Sequence, residues 1–558
     1  MEKVCKQCGI NFEISEDDQA FMKKFSFSIA GKKYDIPMPT LCLECRMQRR
    51  QSILNQLNLF KRKCDATGQE IITNFPPNSS QKVYSQEHWY GDKYDGLDYG
   101  RDFDFNKSFF EQFYELRMEV PVPALFTDYL HDENSVFTNC AGKNKNCYMI
   151  FDSDENWNCY YSYGMNGSKD SMDCYRVQKV ELCYEVIDSN NCYKCAFVHN
   201  SSNCSDSLFL NNCVGCRNCI YCSNLVNKEY YLFNEKISKE RFEEIKNGFT
   251  SYEFLIDKLP EFEKFRLTFP QKYMRGVQNE NVTGNHVVNS KNAYYCFDSM
   301  NLWDCRYCYQ SFISAKDCMD TQESGGCELN YETSNSAYNI YNSLFCFQCM
   351  DNCNNIQYCV HCGVGTSDCF GCVGLKKKKY CVFNKQYSPE EYEKLVSKII
   401  DHMLDTKEYG EFFPIKDSSF GYNLTIAQEY FPLTKDEALK NGWKWHDFDK
   451  KEYQKQTYKI PDDVKNVSED ITKELLACEV CGRNYKIIEA ELKLLKNFGF
   501  PIPRKCFMCR DLNRISKRTP RKLFDRKCDK CGADIKTAYA PEMPEIVYCE
   551  KCYLEVTF

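Results

Sequence analysis

The chain has 558 residues, with 72 Lys and Arg against 79 Asp and Glu for a formal charge of -7, and it contains 38 Cys, 39 Tyr and 39 Phe. With 43 % apolar residues it is too sticky for a disordered chain, and its apolar runs fall far short of the roughly 20 residues a membrane helix needs. The opening MEKVCKQCGI has no apolar leader, which predicts a cytoplasmic protein whose thiols are metal ligands or small buried hydrophobes rather than disulfides.

In chain order, Cys5/Cys8 and Cys42/Cys45 come first as two CxxC pairs. A CxxC turn presents two thiolates from one knuckle, and a second pair closes a tetrahedral zinc site with no open position. This set predicts a structural zinc ribbon over residues 1–63. Two more sets follow at the other end: Cys478/Cys481 with Cys506/Cys509, then Cys528/Cys531 with Cys549/Cys552. They predict ribbons over 471–522 and 523–558, and about three zinc ions per chain; redox CxxC pairs or coincidence explain a threefold recurrence less well. The two ends are copies. From Cys42 to His88 matched positions are offset by 464, which pairs Cys64 with Cys528 but Thr67 with Cys531, Ser85 with Cys549 and His88 with Cys552. Hydroxyls are weak zinc ligands, so residues 64–90 are expected to form a degenerate, metal-free lobe held by packing around Tyr84, Trp89 and Tyr90. Cys64 and His88 as zinc ligands is the competing reading.

Residues 91–139 read as a connector, with an amphipathic helix in FFEQFYELRMEV (109–120). Two Cys-rich blocks follow, 140–270 and 281–403. In the first, the cysteines from Cys147 to Cys222 are all separated by multiples of three. Neither a plain strand nor a plain helix returns such spacings to one face, whereas a coil of short straight segments and corners does. The expected fold is therefore mainly β with short helices: a duplicated β-solenoid with Cys and aromatic ladders, flanked by zinc ribbons. Both blocks carry the same signatures. Trp157 and Cys159 match Trp303 and Cys305, while Leu225, Lys228, Tyr230 and Asn234 match Leu375, Lys378, Tyr380 and Asn384. Ser238 and Ser388 precede Glu-rich runs as N-caps do, predicting a capping helix at each end. In the connector 404–470, Thr434 and Gly442 mark the start and stop of another.

Most central cysteines are expected to fill the coil, since free Cys behaves as a small hydrophobe. An additional metal site is the sharper alternative, either at Cys213, Cys216, Cys219 and Cys222, whose final interval departs from the iron–sulfur run, or at Cys359, His361 and Cys362 with Cys369 and Cys372.

Charge is uneven. The segments 46–63 and 504–530 are strongly basic and follow equivalent lobes. Arg46, Arg49, Arg50, Arg510, Arg514, Arg518 and Arg521 are thus candidates for phosphate contacts to nucleic acid or a nucleoprotein. An acidic protein surface, or packing against the acidic remainder of this chain, is the alternative. No membrane partner is expected, and the sequence fixes no oligomeric state. No phosphate loop, dinucleotide fingerprint, nucleophile elbow or HExxH occurs. The leading reading is a non-enzymatic, zinc-stabilised scaffold, ahead of a metal- or redox-handling protein using the central thiols and a solenoid carbohydrate-active enzyme.

The segments CKQCGINFEISEDDQAFMKK…PTLCLECRMQRR and CEVCGRNYKIIEAELKLLKNFGFPIPRKCFMCR resemble the small bacterial "probable zinc-ribbon" domain. The whole chain is similar to an uncharacterised protein family of candidate-phyla (Patescibacteria-type) bacteria. That resemblance implies zinc and a bacterial cytoplasm and brings no activity with it.

Overall fold

A computed structural model describes residues 1–448 and 452–557. The chain forms two compact units. One comprises Met1–Phe126, Met274–Asp447 and Arg521–Leu523; the other comprises Thr127–Tyr273, Phe448–Pro520 and Phe524–Phe558. The first unit thus joins the N-terminal module to the second Cys-rich block, and the second joins the C-terminal module to the first block.

Each unit is built around an 11-stranded sheet whose strands follow chain order. In the first block the register is set by steps of twelve: Tyr184 pairs with Ala196, Ala196 with Leu208 and Leu208 with Ile220, all parallel. Every third residue from Asn134 to Tyr230 has positive φ. Each coil therefore has four corners of three residues, a four-sided β-solenoid. Left-handed backbone suits Asn, Asp and Gly, which is why these residues punctuate the blocks. The residue after each corner points inward, and that position is where the central cysteines fall, apart from Cys140, which stands at a corner itself.

The interior explains the choice of residue. The corner turns leave N–H and C=O groups directed into the coil, where water cannot satisfy them. Inward hydroxyls and thiols do so instead. Ser162 Oγ accepts from Cys174 N and Ser201 Oγ from Cys213 N, one coil on, at 3.0 Å each. Cys147 Sγ donates toward the carbonyls of Lys145 and Asn156, both at 3.4 Å, and Cys183 repeats this with Glu181 and Cys192. Cys and Ser are small enough for the bore and carry a donor and an acceptor on one atom.

In the second block some coils have thirteen residues: Arg306 pairs with Met319, Cys327 with Ile340 and Ile356 with Cys369. Each extra residue shifts the inward phase by one, so the cysteine rhythm restarts after each such coil. Aromatic ladders run along corners. Phe197, Phe209, Tyr221 and Phe233 stack at 4.7, 4.8 and 4.9 Å, close to the spacing of paired strands.

The duplicated closing signatures are plugs. Asn234 donates to Ser223 O and accepts from Ser223 N, and Asn384 does the same with Val373, replacing the backbone of a missing next coil. Each plug asparagine sits in the turn of a short antiparallel hairpin, and a helix follows. The helices Lys239–Gly248 and Pro389–Asp405 are capped by Ser238 and Ser388, and Phe242 and Tyr392 lie on Tyr230 and Tyr380 at 5.8 Å. Ser108 caps Phe109–Glu119 and Thr434 caps Lys435–Lys440, with Gly442 at φ +74° just beyond. Among the described residues no helix is long and apolar enough to cross a membrane.

Candidate metal centres and the arginine clasps

All three predicted thiol sets assemble. In each of Cys5/Cys8/Cys42/Cys45, Cys478/Cys481/Cys506/Cys509 and Cys528/Cys531/Cys549/Cys552 the four sulfurs lie within 4.8 Å of one another. Cys8–Cys42, Cys481–Cys506 and Cys531–Cys549 approach to 3.8, 3.7 and 3.8 Å. Four sulfurs held about 2.3 Å from a central ion form a tetrahedron with edges of about 3.8 Å, so the three groups can each hold a metal ion. A disulfide would need about 2.05 Å.

Backbone geometry prepares the ligands. The first knuckles turn on Gly9, Gly482 and Gly532, all left-handed, each donating to the carbonyl of the first cysteine. Cys42 N and Cys549 N donate across to Cys5 Sγ and Cys528 Sγ at 3.3 and 3.2 Å. Burial raises Cys478 and Cys528, but such amide donors outweigh it and bring both down to about 6, favouring the thiolate that binds metal.

The degenerate lobe keeps this frame with one of the four thiols, Cys64. Phe60–Lys63 pairs with Glu70–Thr73 as Phe524–Lys527 pairs with Asp534–Thr537. Val83–Tyr84 runs parallel to Val122–Pro123 as Gln271–Lys272 does to Val547–Tyr548. Ser85 N donates to Cys64 Sγ at 3.2 Å, but the Ser85 hydroxyl turns to cap its own helix at His88 N, and the His88 ring lies edge-on to Tyr84. Cys64 sits in an apolar cluster with Ile71, Phe75, Val83, Val122 and Phe420. Trp89 is buried and donates to Pro121 O, stacked on Tyr94.

The central candidate cysteines lie along the bore of the solenoid. Among the described residues the three terminal tetrads are the compact ligand groups. Cys213, Cys216, Cys219 and Cys222 occupy the four successive inward positions of one coil, one per side, and each directs its thiol to carbonyls. Cys359 and Cys362 point inward likewise, whereas His361 stands at the positive-φ corner between them. Its ring lies against Phe347 and Phe126, and burial, with Arg117 nearby, depresses it to about 3.

The basic segments hold the main correction. The predicted phosphate contacts are buried ion pairs inside each unit. Cys42 caps the helix Leu43–Gln51, on which Arg46 reaches Asp320 at 2.9 Å. Arg49 reaches Glu332 at 3.0 Å and Glu411 at 2.7 Å, and Arg50 reaches Glu332 and Asp320 at 2.9 and 3.1 Å. Cys506 caps Phe507–Ser516, on which Arg510 and Arg514 share Asp173 at 2.9 Å each, with Glu491 and Glu185 beside them. Arg518 forks onto Asp188, stacked over Tyr175. Arg521 pairs with Asp298 at 2.9 Å and lies over Tyr430. All seven guanidinium side chains are almost fully buried, so they cannot form a phosphate-binding surface; packing against the chain's own acidic residues is what the structure holds.

The two clasps are equivalent. Arg46 and Arg50 stand 464 before Arg510 and Arg514, while Asp173 and Glu185 stand 147 before Asp320 and Glu332. The acids sit at the same corner on adjacent coils and all have positive φ. Sequence inspection missed them because nothing marks these four among 79 carboxylates; the signal was the shared offset, readable only once the corner column is known. Two positions that bear on the charge of the clasps differ, and one of them brings Asp511 to the place of Met47. Arg49 corresponds to Asn513, leaving the C-terminal clasp short of cations. Burial there pushes Glu491 and Asp511 up to about 7 and about 6, against the pull of Arg510 and Arg514. In the N-terminal clasp burial likewise raises Asp320 against Arg46 and Arg50, but on Glu332 Arg50, Arg49 and Arg46 overcome it and hold the carboxyl below the usual range.

No family model and no curated protein matches this chain. Among solved structures, a putative acetyltransferase from Desulfovibrio desulfuricans G20 aligns at 12 % identity over 41 % of this chain and 63 % of its own, with a TM-score of 0.12. The chain thus spans less than two thirds of that structure's length, and at this TM-score the likeness carries no argument.

Proposed function

We propose that the protein is a zinc-stabilised, non-enzymatic scaffold in which metal binding locks terminal ribbons onto solenoid walls. The observation that carries this reading is a covalent adjacency: the second knuckle of a tetrad is also the first turn of the clasp helix. Cys42 and Cys45 immediately precede Arg46, and Cys506 and Cys509 immediately precede Arg510. An ion held by the knuckle fixes the position and axis of the helix whose buried arginines enter the solenoid. Four-thiolate closure leaves no coordination position for a substrate, which favours structure over catalysis, and thiolate ligands favour zinc among the available metals.

The test is elemental analysis of anaerobically purified protein together with a chelator titration. Three zinc per chain, and release of the ribbons from protease protection as zinc is removed, are expected. Iron with visible charge-transfer absorption would instead support metal or redox handling, and full ribbon protection in metal-free protein would refute the coupling.

A further inference from the structure

The degenerate lobe departs from its C-terminal sister at a second place, the seam with the solenoid wall. The helices Phe109–Glu119 and Tyr252–Arg266 end just before the strands Val122–Pro123 and Gln271–Lys272, which pair with Val83 and Val547 in the same register. That register matches Val122 with Gln271, and the same offset of 149 matches Pro121 with Pro270 and Arg117 with Arg266. The offset of 464 matches Gln81 with Glu545. In the C-terminal lobe the arginine has a counter-ion, since Arg266 Nη1 stands 3.4 Å from Glu545 Oε1. In the N-terminal lobe the arginine remains, but the carboxylate has become the neutral amide of Gln81, whose Nε2 donates to the carbonyls of Arg117 and Val120.

Arg117 is thereby left as a buried cation without an ion pair. It is 6 % exposed, it donates from Nη2 to Asp417 O, and its Nε has no acceptor. Among the described residues no carboxylate pairs with it. Asp417 pulls on it from beyond ion-pair distance, is shared with Lys416 and Lys444, and does not offset burial, which lowers Arg117 from the usual guanidinium range. His361 is the second unmet group. Asn212 and His361 are the corner residues one coil before Asn224 and Gly374, which share the offset of 150 of the closing signatures. Asn212 donates to Gln271 Oε1 at 2.8 Å. Opposite His361 the place of Gln271 is taken by Val122, and the buried His361 Nδ1 has no partner. Arg117, His361, Gln81 and Gln348 line one cavity of about 20 Å³, room for a single small guest.

We infer that this cavity is a binding site for a monovalent anion of about the size of chloride, held by Arg117 and His361 in place of the carboxylate that Glu545 supplies to the sister lobe. A water molecule would accept from the free N–H groups but leave the charge unmet, and a buried charge without a counter-ion is strongly destabilising. The volume admits one small ion and excludes a nucleotide. His361 Nδ1 donates to the anion when that nitrogen carries the ring proton. The anion ties the helix Phe109–Glu119 and the thiol-poor lobe to the solenoid corner. The site shares no residue with the thiol tetrads or the clasps, so it stands or falls separately from the scaffold reading.

The experiment is hydrogen exchange of the zinc-loaded full chain in chloride and in gluconate, which is too large for the cavity, at equal ionic strength. Chloride at ten times its dissociation constant should slow exchange in Phe109–Glu119 about tenfold, saturably, while Tyr252–Arg266, whose arginine has Glu545, does not respond. Gln81→Glu supplies the sister's carboxylate at the expense of two amide donations, and its helix should lose the chloride response. Arg117→Met should lose it as well. In crystals grown from bromide an anomalous peak is expected beside the Arg117 guanidinium. A Phe109–Glu119 helix indifferent to chloride would overturn the inference and leave a cavity that holds water only. An equal response of Tyr252–Arg266, a Gln81→Glu protein that still responds, or a cavity without bromide would also overturn it.

Discussion

Replacing Arg50 with Met isolates the energy of the N-terminal clasp. The guanidinium donates to Glu332 Oε2 at 2.9 Å and Asp320 Oδ1 at 3.1 Å, and all three side chains are fully buried. After the change Asp320 retains Arg46 and Glu332 retains Arg49, so neither carboxylate is left alone. The cluster nevertheless goes from three guanidiniums facing Asp320, Glu332 and Glu411 to two, and one negative charge is left without compensation. Removing one partner of a buried pair costs about 3–5 kcal/mol, which lowers the docked population by roughly two to more than three powers of ten. Hydrogen exchange of the amides in Leu43–Gln51 reads this directly, since undocking exposes them while the solenoid persists. Adding Glu332→Gln removes the surplus charge and should recover part of the loss. An Arg50→Met protein with undiminished helix protection would refute the reasoning, as would one made worse by the second change. Lys61→Ala, which breaks an ion pair with Glu70 that is about two-thirds exposed on both sides, should change little.

Other outcomes follow from the same geometry. Glu491 and Asp511 hold protons in the folded C-terminal clasp that an unfolded chain releases above about pH 4, so docking there weakens by about 1.4 kcal/mol per pH unit and group, up to about pH 6 for Asp511 and about pH 7 for Glu491. With metal saturating, Phe507–Ser516 should be better protected at pH 5.5 than at 7.5 after correction for intrinsic exchange. Leu43–Gln51 faces opposed groups, Glu332 held low by Arg50, Arg49 and Arg46 and Asp320 raised by burial, and should gain less; a larger gain there than at Phe507–Ser516 would contradict the assignment. Cys528→Ser should lose one zinc and unfold its lobe, a structural site being worth on the order of 10 kcal/mol. Cys64→Ser should cost little and leave the zinc count unchanged, and an equal zinc loss would contradict the metal-free frame. Alkylation of chelator-treated but otherwise native protein should reach the twelve tetrad thiols and Cys140, the one central cysteine not fully buried; labelling at Cys213 or Cys359 before denaturant would contradict a dry bore.

The tetrads were legible because metal ligation is local: two knuckles fix spacing within a few residues. The solenoid was legible in the first block because twelve is a multiple of three, and illegible in register in the second because each thirteen-residue coil resets the phase. The arginines were misread as a surface. Arg46 and Arg510 meet partners 274 and 337 positions away in sequence, Asp320 and Asp173, and only the coil brings those acids to one corner.

The central claim is that metal in the knuckle holds the clasp helix in the solenoid. Hydrogen exchange on the intact chain before and after stoichiometric zinc removal tests it most directly. The account predicts that Leu43–Gln51 and Phe507–Ser516 lose protection in step with zinc while the coils between Tyr148 and Ile220 keep theirs. Helices that remain protected in fully metal-free protein would contradict it.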